Sequence, residues 1–256
     1  VKLSEPFLEE QLSEDVLSDL LPLADDPSEH VRFQLAFTLG ESADDRATAG
    51  LAQLLLDPRN GKDIQTAVLS SVSGNADKLA TRLISTSHRN SARTSALLSQ
   101  LGQIAGSDPQ TAAAVRMLAS IADDEVSASD QRASLSGLGK GLAARGSTVR
   151  KLVADKTVAA EVSQNIATLF SNAVRSAQDE NKSLSEREAA IRLLAFTETS
   201  TATSALSDFL SPQTAPQLQR AAVESLARHD SDKIAATLLA GWKTYGPQIR
   251  RDVVDA

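Results

Sequence analysis

The sequence predicts an all-α fold, an α-α superhelix of stacked helical hairpins, and three observations lead to it. Hydrophobic residues make up 41% of the 256 positions but aromatic residues only 3%, so a core must consist mainly of Leu, Ala, Val and Ile. Such side chains suit closely packed helices better than a β-sandwich. Apolar residues recur at helical intervals. The chain also repeats itself at a nearly fixed period, which is typical of solenoids.

The repeat is clearest in the C-terminal part. The segment EAAIRLLA, beginning at Glu188, lines up with RAAVESLA, which begins at Arg220, an offset of 32. The segment LQRAAV, from Leu218, then matches IRRDVV, from Ile249, at an offset of 31. Each predicted unit is two helices long.

The N-terminal part repeats less regularly. One series has an offset of 33 and pairs Val31, Leu35 and Leu39 with Ile64, Val68 and Val72. A second series has an offset of 28 and pairs Leu51 and Leu55 with Leu79 and Leu83. A further unit has an offset of 29 and places Leu97, Leu98 and Leu101 after Val68, Leu69 and Val72. The unequal offsets of the first two series predict five extra residues in the first inter-helix loop, around ESADDRATA.

The middle of the chain, from about Asp108 to Asp179, keeps helical periodicity without a strict register, which predicts longer helices in the same stack. No Pro/Gly/Ser-rich linker divides the chain, so residues 1–256 are predicted to form a single helical-repeat domain. Val1 is not an initiator methionine and the final PQIRRDVVDA stops inside a predicted helix. We therefore expect a fragment of a longer multidomain protein.

The segment DPSEHVRFQLAFTLGES shows how one repeat helix is specified. Asp26 is predicted to cap the helix, with Pro27 at its first position, Glu29 completing a capping box and Gly40 ending it. Along this helix Val31, Leu35 and Leu39 form one apolar stripe. Two phenylalanines, at 33 and 37, lie nearly opposite that stripe. A helix that is apolar on two sides is expected to be covered on two sides.

Sequence signals for turns and helix starts also occur elsewhere in the chain. Turns are predicted at four dipeptides, Asp57-Pro58, Asp108-Pro109, Ser211-Pro212 and Ala215-Pro216. For the helix that carries Ile191, Ser183 with Glu186 and Ser185 with Glu188 are alternative capping boxes.

Charge and cysteine content exclude several kinds of function. A net charge of −7 disfavours nucleic-acid binding unless basic residues cluster, and the short groups Arg82/His88/Arg89/Arg93 and Arg250/Arg251 form no such cluster. The absence of cysteine excludes disulfides, thiolate metal sites, covalent c-type haem attachment and cysteine nucleophiles in this chain. No apolar run is long enough to predict a transmembrane segment, so a soluble chain is expected.

The candidate site residues favour structural roles. His30, His88 and His229 are not spaced with each other or with carboxylates as metal ligands usually are. The acidic groups Asp25-Asp26, Asp44-Asp45 and Asp123-Asp124-Glu125 could suggest a two-carboxylate mechanism, but each lies at a predicted helix boundary, where acids cap helices. We therefore predict no catalytic, cofactor-binding or metal-binding residue and no cofactor.

Glycines and aromatic residues are further candidates for binding elements. The segment GLGKG, Gly137 to Gly141, lacks the phosphate-binding loop pattern, so close helix packing or a helix break is preferred. Trp242 and Tyr245 could mark a binding patch. Trp242 aligns with Leu210, which predicts a core position for it, whereas Tyr245 is expected to close a repeat.

These motifs resemble the HEAT and armadillo-like repeat families. The resemblance rests on DPSEHVRFQLAFTLGE, on SEREAAIRLLA and on the segment from PQLQRAAVESLA to GPQIRRDV, and it covers both ends of the chain better than its middle. The order VRFQLAFTLGES, TAVLSSV, LSGLGKGLAARG and LQRAAVESLA further resembles the helical-repeat region of large bacterial exported proteins. In those proteins the repeats lie between a sugar-dehydrogenase-like propeller and a cytochrome c domain. This resemblance implies an extracytoplasmic or periplasmic location and a parent protein that is an oxidoreductase.

The function predicted from the sequence is a non-catalytic scaffold or protein-interaction module, which spaces or docks redox domains of a larger exported protein. Its expected partner is protein, including other domains of the same polypeptide, and not nucleic acid; the partner-binding residues stay open. The alternative is a HEAT-like enzyme such as a DNA glycosylase or a bilin lyase. A glycosylase of this kind should have a basic groove with an acid inside it. A third option, a surface that contacts haem or quinone, rests on the resemblance alone.

Overall fold

The computed structural model describes residue 2 and residues 13–72, 74–86, 92–123, 125–155, 158–229 and 231–255. The side chains of residues 13–15, 86 and 92 are not described. Every regular element in these ranges is helical and none is a β-strand, so the predicted all-α class is confirmed. His88, Arg89 and Asp124 lie outside the described residues.

The helices pack into two compact units. The first comprises Val1–Ser120 and Ser136–Arg145, and the second comprises Ile121–Leu135 and Gly146–Ala256. The division runs through one helix, α8 (Ala128–Ala143), whose second half belongs to the first unit. The single domain expected over residues 1–256 stays a prediction.

The first unit is built from seven described helices besides its part of α8. They are α1 (Ser13–Leu20), α2 (Glu29–Gly40), α3 (Asp45–Leu56), α4 (Lys62–Ser71), α5 (Ala76–Thr86), α6 (Ala92–Ser107) and α7 (Ala112–Ile121). Helix α2 packs against α4, α3 packs against α5, and α2 also contacts α3. Their shared core contains most of the apolar positions that the repeat predicted: Leu35, Leu39, Leu51, Leu55, Ile64, Val68, Val72, Leu79, Leu83, Leu97, Leu98 and Leu101.

The two predicted offsets of this unit have different outcomes. Helix α2 begins at Glu29 and α4 at Lys62, which is the predicted offset of 33. Helices α3 and α5, however, begin at Asp45 and Ala76, and the loops 41–44 and 72–75 are equally long, so the five-residue insertion is wrong. The true offset of these two helices exceeds the predicted 28 by nearly one helical turn, so both registers place leucines on the same helix face.

The beginning of α2 differs from the prediction, whereas its end agrees with it. The helix begins at Glu29 with Ser28 as its N-cap, and Asp26 Oδ1 instead accepts the Ser28 backbone N–H at 2.7 Å. Asp26 therefore shapes the turn before the helix. Gly40 is the last helical residue, as predicted, but for a packing reason, because a Cβ there would lie 2.3 Å from Ser71 Cβ.

Helices α6 and α8 touch through their backbones. A Cβ on Gly137 would lie 1.8 Å from the carbonyl oxygen of Ser99, and one on Gly141 would lie 2.3 Å from that of Gln103. From the opposite side, a Cβ on Gly106 would lie 2.5 Å from the Leu138 carbonyl oxygen. The preferred interpretation of GLGKG as a close-packing segment is confirmed.

The second unit contains seven further described helices. They are α9 (Val149–Val153), α10 (Ala160–Gln178), α11 (Leu184–Leu193), α12 (Thr199–Leu206), α13 (Pro216–Leu226), α14 (Asp232–Ala240) and α15 (Pro247–Val254). The first residues of α11, α13 and α15 are spaced at the offsets of 32 and then 31 that the sequence predicted, so both are confirmed. Helix α11 packs between α10 and α13, and α13 also packs against α15.

Charged side chains link these successive helices at the repeat spacing. Arg192 of α11 pairs with Glu224 of α13, and Arg220 Nε of α13 lies 3.1 Å from Asp252 Oδ2 of α15. Both pairs span a sequence separation of 32. Within α11, Arg192 Nε also lies 2.9 Å from Glu188 Oε1.

The N-terminus of α11 is capped as predicted. Of the two alternative capping boxes, the one between Ser183 and Glu186 forms, with the Ser183 side chain accepting the Glu186 backbone N–H and the Glu186 carboxylate accepting the Ser183 backbone N–H. Glu188 instead pairs with Arg192.

A recurring contact joins several helices to the turn that precedes them. The fourth residue of the helix donates a side-chain hydrogen bond to backbone carbonyl groups at the end of the previous helix or in the turn. The donors are Arg32 (to Asp26 and Pro27), Gln131 (to Ile121 and Asp123), Ser163 (to Val153), Arg187 (to Ala177), Gln219 (to Leu210 and Ser211) and Arg250 (to Trp242 and Lys243). Carbonyl groups at a helix end have no partner within the helix, so these donors satisfy groups that would otherwise need water.

Candidate interaction surface

A cleft lies between α2 and α4 of the first unit. Its volume is about 470 Å³, and the residues that line it are Glu29, His30, Phe33, Phe37, Asp63, Thr66, Ala67 and Ser70. The two phenylalanine rings meet edge to face, with centroids 5.2 Å apart and planes at 72°. Phe33 is 39% exposed and Phe37 is half-buried. The expectation that both apolar faces of α2 would be covered is therefore wrong, since the phenylalanine face opens into the cleft.

The rim of this cleft is acidic. Glu29 is in the first turn of α2 and Asp63 in the first turn of α4, and both are exposed. Neither carboxylate belongs to an ion pair among the described residues, and the lining includes no lysine or arginine. His30, one of the sequence candidates, is an exposed residue of this rim. The arrangement offers aromatic faces and negative charge to a cation.

A second cleft, of about 730 Å³, lies on the next pair of helices in the same unit. Its lining combines Leu69 and Gly74 with residues of α6 and of the turn that follows, among them Gln100, Gln103 and Ile104. Gln65 Nε2 of α4 donates to Gln100 Oε1 of α6 at 2.8 Å. We call the exposed side of α2, α4 and α6 that carries both clefts the α2–α4–α6 face.

The second unit has its own cleft, of about 460 Å³, between α9, α10 and the chain that leads into α12. Two arginines, Arg150 and Arg175, line it together with Phe170, Phe196 and the exposed carboxylate Glu198. Arg150 Nη1 lies 3.4 Å from the Ala195 carbonyl oxygen. The cleft thus holds both signs of charge.

Of the two candidate histidines that the structure describes, His229 is the buried one. It sits in a turn, and only 3% of it is exposed. Its Nδ1 lies 3.4 Å from Arg150 Nη1 and 3.3 Å from Thr199 Oγ1, while Nε2 is buried and forms no hydrogen bond of normal geometry with the described residues. Burial lowers the pKa of His229, and the nearby Arg150 guanidinium lowers it further. Both effects favour the neutral form of the side chain.

Mild acid should destabilise the protein through His229. In the unfolded chain this histidine takes up a proton as the pH falls below about 6.5, whereas the folded chain resists protonation to a lower pH. The stability contributed by the neutral ring is thus full above that pH and is lost as the pH falls toward the lowered folded-state pKa. Urea unfolding at neutral and mildly acidic pH, above the range where carboxylates titrate, measures this loss.

The variant that tests this is His229→Gln, which should flatten the pH dependence; His30→Gln, which alters an exposed histidine, is the comparison for the substitution itself. An equal pH dependence in the parent and His229→Gln proteins would contradict this assignment.

The acidic candidates have separate structural partners. Asp44 is the N-cap of α3, and hydrogen bonds from Arg46 lower its pKa. Asp45 lies 3.2 Å from Lys78 Nζ, and Asp25 accepts hydrogen bonds from Gln53 and Arg59. In the third group, Asp123 Oδ1 accepts the backbone N–H of Glu125 at 2.9 Å. Within the described ranges, no three His, Asp or Glu side chains cluster as metal ligands.

The aromatic candidates of the second unit differ from each other in burial. Trp242 is only half-buried, so its predicted core position is wrong; the Arg250 guanidinium lies 5.7 Å from its ring centroid and covers one face. Tyr245 is buried against Gly241, where an added Cβ would lie 2.4 Å from the tyrosine hydroxyl oxygen. Burial raises the pKa of this phenol.

Sequence reasoning missed two features of these surfaces. The open phenylalanine cleft could not be read from the pattern, which shows that a face is apolar but not whether another helix covers it. The fourth-residue donors did leave a signal, since Arg32, Arg187 and Arg250 occupy the same helix position, but only the alignment of Gln219 with Arg250 pointed to it.

No helix among the described residues is both long and apolar enough to cross a membrane. No protein-family model matches the chain. No curated protein is significantly similar to it.

Proposed function

We propose that the chain is an α-solenoid of the HEAT/armadillo type that acts as a non-catalytic protein-interaction module. The observation that carries this proposal is the regular succession of α11, α13 and α15, which begin at Leu184, Pro216 and Pro247 and pack on one another. Stacked repeats of this kind build extended surfaces rather than closed pockets.

The surface proposed to bind the partner is the α2–α4–α6 face. It has an exposed aromatic ring, two neighbouring clefts and acids that form no ion pair among the described residues. It thus combines apolar area with polar rim groups, as interaction sites do. The partner is a protein, and the resemblance to exported redox assemblies makes other domains of the same polypeptide the first to test.

Site-directed photo-crosslinking of the full-length gene product in its own cells tests this function. Crosslinkers at the exposed Thr66 and Gln100 should capture a protein or another domain, whereas those at the exposed Gln53 and Thr81, on α3 and α5, should not. Failure of all four positions to give a product, or equal products at all four, would contradict the proposal.

One feature favours the alternative that the chain is a HEAT-like enzyme such as a DNA glycosylase. The cleft of the second unit combines Arg150 and Arg175 with the acid Glu198. The enzyme is the weaker proposal, since Arg150 is directed to the Ala195 carbonyl group and to His229, and the chain as a whole is acidic. Titration with duplex DNA at low and high salt distinguishes the two proposals. Binding that weakens with salt and is lost in Arg175→Ala would support a DNA-directed enzyme. A flat titration would rule out that enzyme.

A further inference from the structure

We propose that the cleft between α2 and α4 binds a lysine or arginine side chain presented by a basic segment of a partner protein. The inference deepens the proposed function and rests on it, because it names the chemistry of the partner at one of the two clefts of the α2–α4–α6 face.

The aromatic part of the cleft provides the first argument. Phe33 and Phe37 present an edge-to-face ring pair at 5.2 Å, and Phe33 is among the few large hydrophobic side chains that stay exposed in the described chain. The faces of such rings carry negative electrostatic potential, so a cationic group within about 6 Å of a ring centroid is attracted to it. The aliphatic stem of a lysine or arginine also covers apolar surface while its charge stays in water.

Charge complementarity is the second argument. Glu29 and Asp63 flank the rings, and neither has an ion-pair partner among the described residues. Their position in the first turns of α2 and α4 explains how the fold tolerates them, because acids are favoured at the positive end of a helix. It also places both negative charges beside the rings. The only other titratable side chain of the lining is His30, which is exposed.

An anionic or purely apolar occupant fits less well. An anion would face both carboxylates without a compensating cation in the lining, and a wholly apolar side chain would leave them unused. The remaining polar groups of the lining, Thr66 and Ser70, are small and uncharged, so they leave room for a long side chain.

Two synthetic peptides of equal length provide the probe. Both have leucines at the same positions of an amphipathic helix, and one carries lysine and the other glutamate at every polar position. Fluorescence anisotropy of the labelled peptides is measured with the whole chain. We expect the lysine peptide to bind, with an affinity that falls as salt is added, and the glutamate peptide not to bind.

Variants of the cleft then locate the binding. Phe33→Ala and Phe33→Leu should each weaken binding of the lysine peptide about threefold, because an exposed cation–π contact is worth only that much. The double variant Glu29→Gln with Asp63→Asn should weaken it about fivefold. Since Phe33 is partly exposed, these variants are expected to keep the parent far-UV circular dichroism, which is recorded for each.

The controls reproduce each change elsewhere in the chain. Glu161→Gln with Asp232→Asn removes two exposed first-turn acids of α10 and α14 and the same total charge. Leu239→Ala removes a hydrophobic side chain that is 58% exposed. Neither control should change the affinity for the lysine peptide.

Several results would overturn the proposal. No binding of the lysine peptide, unchanged binding in the cleft variants, or an equal loss in the charge control would each remove the cleft as a cation site. If size-exclusion chromatography instead showed an oligomer that Phe33→Ala dissociates, the cleft would belong to a second copy of the chain. Crosslinks on the α2–α4–α6 face together with no lysine-peptide binding would leave the proposed function standing and refute only the cation site.

Discussion

Replacing Gly137 with alanine should destabilise the protein by about 3 kcal/mol, because the new methyl group would be forced into a backbone contact that has no room for it. Its Cβ would lie 1.8 Å from the Ser99 carbonyl oxygen, which belongs to helix α6 and cannot move without moving the helix. In an open position of a helix the same change would instead stabilise by about 1 kcal/mol. Urea denaturation followed by circular dichroism measures the difference.

Two comparisons make this prediction specific. Gly141→Ala should act in the same direction, since its Cβ would lie 2.3 Å from the Gln103 carbonyl oxygen. Lys140→Ala, at an exposed position of the same helix, should change the free energy of unfolding by no more than about 0.5 kcal/mol. If Gly137→Ala were as stable as Lys140→Ala, the close backbone contact of α6 with α8 would be refuted.

Removing the guanidinium of Arg32 is expected to cost about 2 kcal/mol of the free energy of unfolding, because the buried Asn60 Oδ1 loses its donor and two backbone carbonyl groups lose theirs. Arg32 is 4% exposed. Its Nη1 donates to the carbonyl oxygens of Asp26 at 2.5 Å and Pro27 at 3.1 Å, and its Nε donates to Asn60 Oδ1 at 2.8 Å. Arg32→Met keeps the length of the side chain but abandons all three acceptors, and chemical denaturation measures the effect.

A control and a partial rescue accompany this variant. Arg59→Met removes an exposed arginine whose main partner is Asp57, so it should change the free energy of unfolding far less than Arg32→Met does. Arg32→Gln restores one amide donor, as Gln131 and Gln219 provide at the same helix position, and should recover part of the loss. Equal stabilities of Arg32→Met and Arg32→Gln would show that the arginine acts through packing and not through the carbonyl groups.

The sequence predicted the helical class and much of the packing because the core of this protein is periodic. Leu35, Leu39, Ile64 and Val68 recur at the spacing of a helix face and of the repeat, and all four are buried. The predicted offset between repeats was wrong where two alignments of the sequence both place leucines on the buried face of a helix. In α3 and α5 the leucines matched in a register that lies nearly one helical turn away from the spacing of the helices themselves.

The candidate site was less predictable than the fold. The sequence placed Phe33 and Phe37 opposite the leucine stripe of α2, but whether a second helix covers that face depends on contacts far along the chain. Trp242 shows the same difficulty, because its alignment with buried Leu210 gave no sign that Arg250 would cover the ring. The pattern of a sequence indicates which side chains are apolar, but not which residues they pack against.

The acceptors of the fourth-residue donors are main-chain oxygens, which every amino acid supplies. A side-chain substitution in the preceding helix or turn therefore does not remove the acceptors of these hydrogen bonds. The donor is an arginine, a glutamine or a serine at different places in this chain. This contact requires only that the fourth residue of the helix has a side chain that can donate a hydrogen bond. The contact can therefore be kept while most of the side chains around it change.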